Sequence, residues 1–399
     1  MIFALSESMS ISVQAKPAVN STSLHLDALD GMRGIAALVV MVSHMWLTLW
    51  PVYNPHPSNS WLRHGHVLIL LGHFSVDFFI VLSGFCLMLP VVRFGQLKGG
   101  MWTFYKRRFR RIVPPFWAAL IFSSILLLTV ISHKTGTHWD ICVPFAKKKF
   151  LVDALLLQDI LPGGINHAFW SIAVEWHIYF LFPAIVYGWR RFGLTKTATV
   201  TFLTGYALSY ALRHTAYIGL TPWYLGLFMF GISAAVIGRE THSQYYAVRF
   251  WGIAAWVFAI IVALACCLIS WDRIMGHYAF VDLPVGLCAA CVLVCVSEPT
   301  HSVHRVLSYR PLVWIGAFAY SVYLVHAPLV QVVWQYLLNP LHLSDTVTFF
   351  LLATVGSVLI LGVAYLFHLA FERPFMSKPG VKIKTEAQAE IAAAANPAP

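Results

Sequence analysis

The sequence at residues 26–46 is LDALDGMRGIAALVVMVSHMW, an apolar stretch that begins with charged residues and contains one histidine. On an α-helix, Arg33 and His44 lie about 16 Å apart along the axis, which is about half the thickness of the hydrocarbon core of a bilayer. An ionisable side chain at the depth of His44 is costly unless it faces the interior of a protein. His44 is therefore the first candidate functional residue.

Composition indicates a membrane protein. The chain is 59% hydrophobic and 11% charged, its mean hydropathy is +0.72, and its long apolar runs are separated by short polar segments. We predict an all-α fold, a polytopic transmembrane helical bundle. The apolar runs predict about ten spans, at 33–50, 67–90, 114–132, 168–189, 197–213, 222–238, 250–270, 280–297, 312–337 and 346–370.

The basic residues favour a membrane orientation over nucleic-acid binding. The net charge is +11, but 20 of the 27 Lys and Arg fall in segments that the ten spans place on one side. The positive-inside rule then predicts that both termini are cytoplasmic and that the protein lies in the bilayer of the cytoplasmic membrane. Lys147, Lys148 and Lys149 are the main exception, so either the segment 133–167 re-enters the membrane or a predicted boundary there is wrong.

Polar segments flank the predicted membrane domain. Residues 1–24 are predicted to be a flexible cytoplasmic leader, residues 25–375 the transmembrane domain, and residues 376–399 a disordered cytoplasmic tail of low complexity. Three cysteines within 288–295 share one helical face without a nearby histidine or carboxylate. We interpret them as packing residues and predict no metal.

A dense basic cluster precedes the third span. In the sequence YKRRFRRIVPP, which starts at Tyr105, the two prolines are expected in the first turn of that span. If the stretch is helical, Arg108 and Arg111 share one face and could bind a phosphorylated ligand from the cytoplasm. The alternative is a membrane anchor that contacts lipid phosphates.

Further polar side chains lie within apolar spans. Glu175 needs a partner, for which a buried histidine on another helix is suitable, and a structural and a catalytic pairing are equally open. Asp77 is a second intramembrane carboxylate, and Tyr323 and His326 share a helical face. We interpret these three as polar packing first and as substrate lining second. Gly84 indicates close helix packing.

Taken in order, these motifs resemble acyltransferase family 3, integral membrane acyltransferases whose bacterial members include O-acetylases of surface polysaccharides. The resemblance spans roughly residues 26–375. It rests on Arg33 and His44 with DGMRGIAAL, FFIVLSGF from Phe78, Arg108 and Arg111 before IVPPFW, WSIAVEWHIYFLFP with Glu175, YSVYLVH at 320–326, and FERP at 371–374.

The resemblance implies transfer of an acyl group, usually acetyl, from acyl-coenzyme A (acyl-CoA) to a hydroxyl group. It implies a catalytic role for His44 and essential roles for Arg33, Arg108 and Arg111. As a general base, a neutral His44 would remove the proton of the acceptor hydroxyl, while Glu175 would either orient His44 or stabilise the imidazolium that forms. We expect acyl-CoA as the donor substrate and no bound cofactor, with Arg108 and Arg111 holding its phosphates.

The acceptor predicted by resemblance is a carbohydrate or a small secreted molecule. Some relatives carry a second, extracytoplasmic domain, and a chain with 26 residues after Arg373 resembles the stand-alone type. Such a protein binds its acceptor directly or passes the acyl group to a separate partner transferase. A polar path from Arg108 to His44 is expected, lined by Asp77, Tyr323 and His326.

A transporter is the alternative function. A proton-coupled, multi-pass transporter of an anionic or acylated solute would use the same intramembrane histidine, glutamate and arginine side chains. It accounts for the predicted topology equally well, but not for the ordered set of acyltransferase-like motifs. Enzyme-dependent consumption of the thioester separates the two functions, because a transporter leaves acyl-CoA intact.

Overall fold

The computed structural model describes residues 27–51, 66–161, 163–241, 245–269, 271–298 and 301–376, within which every regular element is helical. The predicted leader (1–24) and the predicted tail from residue 377 lie outside these ranges. The α-helices are α1 Asp27–Leu49, α2 His66–Phe94, α3 Gly100–Thr129, α4 Lys147–Ala154, α5 Trp170–Phe192, α6 Leu194–Leu212, α7 Tyr224–Thr241, α8 Tyr245–Leu268, α9 Trp271–Gly276, α10 Tyr278–Val296, α11 Ser302–Leu307, α12 Arg310–Gly316, α13 Ala319–Val333, α14 Asp345–Leu351 and α15 Ser357–Phe367.

Among the described residues, eight helical stretches are long and apolar enough to cross a membrane. They confirm the prediction of a polytopic helical bundle, whereas the cytoplasmic location of both termini stays a prediction. The other two predicted spans, 197–213 and 222–238, coincide with α6 and α7. The eight stretches are Asp27–Leu49, Val67–Phe94, Gly100–Thr129, His167–Phe192, Val248–Leu268, Tyr278–Val296, Ala319–Leu341 and Asp345–Phe375.

Helix α2 packs against α1, α7 and α10, and α1 packs against α12 and α13. Glycines permit the closest of these contacts. A Cβ atom at Gly84 of α2 would collide with the backbone of Phe228 in α7, and a Cβ atom at Gly231 of α7 would collide with the backbone of Val81 in α2. Small residues allow two membrane helices to approach this closely, so the predicted packing role of Gly84 is confirmed.

Helix α3 begins at Gly100, well before the predicted start of the third span at residue 114. The basic stretch is helical because lysine and arginine have straight side chains that favour helix formation. Arg108 and Arg111 consequently share one face. Pro114 and Pro115 lie inside the helix, so their predicted position in its first turn is wrong.

The segment 133–167 forms short helical turns that connect α3 to α5. It contains a 3₁₀ turn at His138–Ile141 and helix α4, and a second 3₁₀ turn follows at His167–Phe169. The carboxylate of Asp140 accepts hydrogen bonds from the backbone N–H groups of Thr135 and Gly136, each 2.9 Å long. These bonds shape the turn that carries His138.

Candidate active site

Four histidines from distant parts of the chain meet at one end of α1, and we call them the histidine cluster: His44, His138, His167 and His326. The rings of His44 and His326 are parallel, with centroids 4.9 Å apart. His167 meets His44 edge-on at 4.7 Å and His138 at 4.6 Å. His326 is 1% exposed, while the other three are half-buried.

The hydrogen bonds of His326 determine which nitrogen of His44 is free. Nδ1 of His326 lies 3.1 Å from the carbonyl oxygen of Val322 and 2.8 Å from that of Tyr323. Carbonyl oxygens only accept, so Nδ1 carries the hydrogen and Nε2 of a neutral His326 has a lone pair. This lone pair accepts from Nδ1 of His44 at 2.6 Å. The Nε2 atom of His44 is then unprotonated and can act as a base.

The turn that carries His138 is fastened to α13. The Thr137 hydroxyl donates to Oε1 of Gln331 at 2.8 Å, and Nε2 of Gln331 donates to the Thr135 hydroxyl at 3.0 Å. Gln331 follows His326 on the same helix and is 1% exposed. Buried hydrogen bonds of this kind fix the position of the turn against the helix that carries His326.

Asn166 fixes the turn that carries His167. Its Oδ1 atom accepts from the backbone N–H of Ala168 at 3.0 Å, as a helix cap does. Its Nδ2 atom donates to the carbonyl oxygen of Leu324 in α13 at 3.2 Å. Both extra histidines are therefore anchored to α13.

Burial shifts the pKa values of His138 and Asp153, which lie in the connecting segment outside the eight apolar stretches. Burial lowers the pKa of His138, which keeps its imidazole neutral at pH 7. Burial raises the pKa of Asp153 to about 6. The Asp153 carboxylate accepts from the backbone N–H groups of Gly164 and Ile165, at 3.1 and 2.8 Å, and so supports the chain that leads to His167.

Arg33 and Arg108 both lie near Cys86, and Arg111 lies over the ring of Tyr320, on the same face of α3 as Arg108. We call these three arginines the arginine cluster. Arg33 pairs with Asp30, and its Nη2 atom donates to the Sγ atom of Cys86 at 3.1 Å. Arg33 precedes His44 by eleven residues on α1, so the two clusters are separated by about 16 Å along this helix. The arginine cluster thus lies apart from the histidine cluster.

Arg108 and Arg111, the two residues of the arginine cluster on α3, differ in their partners. Nη2 of Arg111 lies 2.8 Å from Oε1 of Glu372, which is fully buried. The other oxygen of Glu372 accepts from Ser321 at 2.6 Å and lies 2.8 Å from Nδ1 of His368. Arg108 makes neither a hydrogen bond nor an ion pair with the described part of the chain, and its Nε atom is buried without a partner. Arg108 is therefore available to bind an anion, whereas Arg111 is engaged with Glu372 through Nη2 and keeps only Nη1 without a partner among the described residues.

Glu175 lies near the arginine cluster rather than near His44, because its partner Tyr179 is within electrostatic range of Arg33 and Arg108. It accepts a hydrogen bond from the Tyr179 hydroxyl, which is 2.6 Å from the Ser83 hydroxyl. Within the described residues, the hydrogen-bond partner of His44 on another helix is His326. The hypothesis that Glu175 orients His44 is wrong in this geometry, because a histidine supplies the acceptor that a carboxylate was expected to supply.

The remaining predicted residues divide between two places. The Tyr323 hydroxyl is 2.5 Å from the Ser171 hydroxyl, and its ring centroid is 5.8 Å from that of His326, so Tyr323 borders the histidine cluster. Asp77 belongs to neither cluster. It is fully buried beside Asp282. A substrate path between the two clusters would not pass this position.

A cavity of about 370 Å³ opens beside the histidine cluster. Thr48 lines it and donates a hydrogen bond to the carbonyl oxygen of His44 at 2.8 Å. A larger cavity of about 880 Å³ lies between α8 and α10 and shares no residue with either cluster. Most side chains around the smaller cavity are polar: Thr48, Thr135, Thr137, Asn339, His342, Asp345 and Thr348, with Leu49, Gly136, Trp334, Leu338 and Leu343.

Sequence reasoning missed His138, His167 and Glu372. The two histidines lie in the segment 133–167. The lysines of this segment conflict with the predicted topology, and this conflict was the signal in the sequence that the segment has an unusual structure. Glu372 lies in the FERP motif, which contributed to the resemblance without a role. Its pairing with Arg111 joins residues 261 positions apart, which no local pattern shows.

Curated relatives match about three quarters of the chain in sequence. The peptidoglycan O-acetyltransferase OatA of Listeria monocytogenes is 19% identical, and the match covers 77% of this chain and 49% of the relative. The O-acetyltransferase OatA of Staphylococcus aureus is 22% identical, with 78% and 52% covered. The chain thus spans about half the length of the curated relatives it matches. No solved structure matches it significantly.

The family comparison covers most of the bundle. The profile of acyltransferase family 3, described as an acyltransferase domain, matches residues 26–369. This range includes His44, all of the arginine cluster and the connecting segment with its two histidines. The chain therefore belongs to acyltransferase family 3.

Proposed function

We propose that this protein is a membrane O-acyltransferase that transfers an acetyl group from acetyl-CoA to a hydroxyl of a carbohydrate, with His44 as the general base. The observation that carries the proposal is the hydrogen bond between His44 and His326, which leaves Nε2 of His44 with a lone pair. The names of the relatives support acetyl as the transferred group. Acyl-CoA is proposed as the donor from the resemblance, since it has the phosphates that an arginine cluster can bind.

In the proposed reaction, Nε2 of His44 removes the proton from the acceptor hydroxyl while that oxygen attacks the thioester carbonyl carbon. The carbon–sulfur bond then breaks, and the imidazolium of His44 returns the proton to the departing thiolate of coenzyme A. His326 accepts from Nδ1 of His44 throughout. It holds the ring in one orientation and stabilises the positive charge, as a carboxylate does in other triads.

Arg108 is proposed to bind the phosphates of the donor, because it has no protein partner in the described residues. The donor's pantetheine arm, a linear chain, would extend along α1 from Arg33 towards His44. Glu175 and Tyr179 would border the donor at the arginine cluster. In this arrangement Arg111 acts through Glu372 and keeps α3 in position beside α13.

The acceptor is proposed to enter through the cavity of about 370 Å³, since its polar lining suits a sugar with several hydroxyl groups. Peptidoglycan is the first acceptor to test, because a relative carries that substrate in its name. Two further points remain predictions: that the arginine cluster faces the cytoplasm, and that a separate partner transferase delivers the acetyl group.

The test uses membranes that contain equal, folded amounts of wild type and His44→Ala, supplied with labelled acetyl-CoA. We expect the wild type to release coenzyme A and label the acceptor, and His44→Ala to be slower by about 1,000-fold. His214→Ala, at an exposed histidine outside both clusters, should match the wild type. Equal rates in wild type and His44→Ala would refute the proposal. Solute transport that depends on His44 without thioester consumption would favour the transporter.

A further inference from the structure

A third polar group lies inside the bundle, apart from the two clusters. His73 and Asp77 are one turn apart on α2 and so share a face, and Asp282 approaches them from α10. One ligand atom from each of the three side chains can be chosen so that all lie within 4.8 Å of one another. The three residues therefore converge on a single point between α2 and α10.

The contacts within this group leave one carboxylate without a partner. Nε2 of His73 lies 2.9 Å from Oδ1 of Asp282, and the indole N–H of Trp223 donates to Oδ2 of Asp282 at 2.8 Å. Asp77 is fully buried and lies beside the Tyr224 hydroxyl and the Asp282 carboxylate, yet neither of its oxygens makes a hydrogen bond of normal geometry with the described residues. A buried carboxylate without hydrogen bonds costs several kcal/mol, so this arrangement calls for a ligand.

The surroundings make two adjacent carboxylates more costly still. Leu70, Phe74 and Val285 form a buried apolar cluster beside the group. The ring of Tyr278 stacks on that of His73 with centroids 3.9 Å apart. The His73 side chain keeps 13% of its surface exposed, which leaves a narrow approach for a small ion. Water cannot solvate the carboxylates freely in such a site.

We infer that His73, Asp77 and Asp282 bind one divalent cation of the zinc or manganese type. Two carboxylates balance the charge of such an ion, so the occupied site with a neutral imidazole carries no net charge. The 2.9 Å between His73 and Asp282 is close to the ligand–ligand edge of a site whose ligands are each about 2.1 Å from the metal, which is about 3.0 Å for six-coordinate and about 3.4 Å for four-coordinate geometry. Asp77 can complete the site by rotating its unbonded carboxylate.

The donor set decides the class of ion. An imidazole nitrogen favours zinc or a first-row transition ion over magnesium and calcium, which prefer oxygen ligands alone. The hydrogen bond from Trp223 holds Asp282 with Oδ1 towards the site, as outer partners of metal ligands do. The bound ion would cross-link α2 to α10, in contrast to the sequence-based prediction of no metal.

The test measures metal content, which does not depend on acyl transfer. Untagged, full-length protein in detergent is stripped with a chelator, dialysed against Zn²⁺ or Mn²⁺, and analysed by mass spectrometry for the metal. We expect one ion per chain in the wild type and an affinity weaker by about 100-fold in Asp77→Asn and Asp282→Asn. Asp159→Asn is the matched control, because Asp159 is also buried and lies 2.8 Å from a histidine, His177.

The histidine cluster is the alternative zinc-binding site that the experiment must exclude. His44→Ala is therefore dialysed in parallel and should retain the ion. The melting temperature of the wild type should fall on chelation and recover with metal, which supports the site even if Asp77→Asn does not fold. Failure of the wild type to bind either ion would overturn the inference. Loss of the ion in His44→Ala with retention in Asp77→Asn would overturn it as well.

Discussion

The histidine cluster and the arginine cluster differ in how their charges are managed. The four imidazoles contact one another, and a single hydrogen-bond direction runs from His44 through His326 to backbone carbonyls. The arginines instead pair with carboxylates, except for Arg108. A base needs a fixed tautomer, whereas an anion-binding site needs one cation that remains unpaired. The comparison assigns proton transfer to one end of α1 and donor binding to the other.

His326 provides the strongest test of this division. His326→Ala removes the acceptor for Nδ1 of His44, so we expect kcat to fall by about 1,000-fold, or about 4 kcal/mol. The KM for the donor should not change, because the arginine cluster is about 16 Å away along α1. Initial rates at varied acetyl-CoA concentrations give both constants.

His326→Gln is the matched variant for this measurement. A glutamine side-chain oxygen can reach the position of Nε2 and accept from His44, so we expect most of the lost rate to return. Equal losses in the alanine and glutamine variants would mean that His326 only fills space. A raised donor KM in both would mean that the two ends are not separate.

Asp153 tests whether the support of the histidine cluster depends on pH. Its pKa is raised to about 6 from about 3.9 in an unfolded chain. The stability of the wild type relative to Asp153→Asn should therefore be greatest below about pH 4 and should fall by about 3 kcal/mol as the pH rises through 6. Thermal unfolding of both proteins from pH 4 to pH 7.5 measures the difference. If the stability of the wild type relative to Asp153→Asn rose with pH, the raised pKa of Asp153 would be contradicted.

Arg108 and Arg111 test the donor end. Because Arg108 is unpaired, Arg108→Ala should raise the KM for acetyl-CoA by about 30-fold, or about 2 kcal/mol, with little change in kcat. Arg111→Ala should instead lower stability, since it leaves the buried carboxylate of Glu372 without its cation. Arg107→Ala, at an exposed position of the same helix, is the control for loss of positive charge alone.

A second substitution distinguishes binding from support. Arg111→Ala combined with Glu372→Gln removes the uncompensated charge, so the double variant should unfold at a higher temperature than Arg111→Ala. If Arg111→Ala raises the donor KM as much as Arg108→Ala and remains stable, both arginines bind the donor. The distinction between them would then be wrong.

The helical bundle could be predicted from the sequence because apolar length is a local property. Eight of the ten predicted spans meet length and hydropathy criteria in the structure, and the close packing at Gly84 follows from its lack of a side chain. The start of α3 was misplaced because the prolines at 114 and 115 resemble a helix start. The fourteen helical residues before them (100–113) extend the helix with lysine and arginine, which hydropathy cannot recognise.

The candidate site was only partly predictable. Arg108 and Arg111 stand out because basic residues crowd one short stretch, and His44 stands out because it interrupts an apolar one. The contact between His44 and His326 joins residues 282 positions apart, and His138 and His167 arrive on short turns. Only tertiary structure brings such residues together, so a local reading selected Glu175 as the partner of His44.

The smallest expected effect concerns the turn that carries His138. Thr137 is 1% exposed, and its hydroxyl donates to Gln331 at 2.8 Å. Thr137→Val keeps the shape but leaves the Gln331 oxygen without this donor, which should cost about 1 kcal/mol of stability and lower kcat about fivefold. Thr129→Val, where the exposed hydroxyl bonds only within its own helix, should change neither. An unchanged kcat in Thr137→Val would show that His44 and His326 act without the support of His138, and His138 would then not belong to the site.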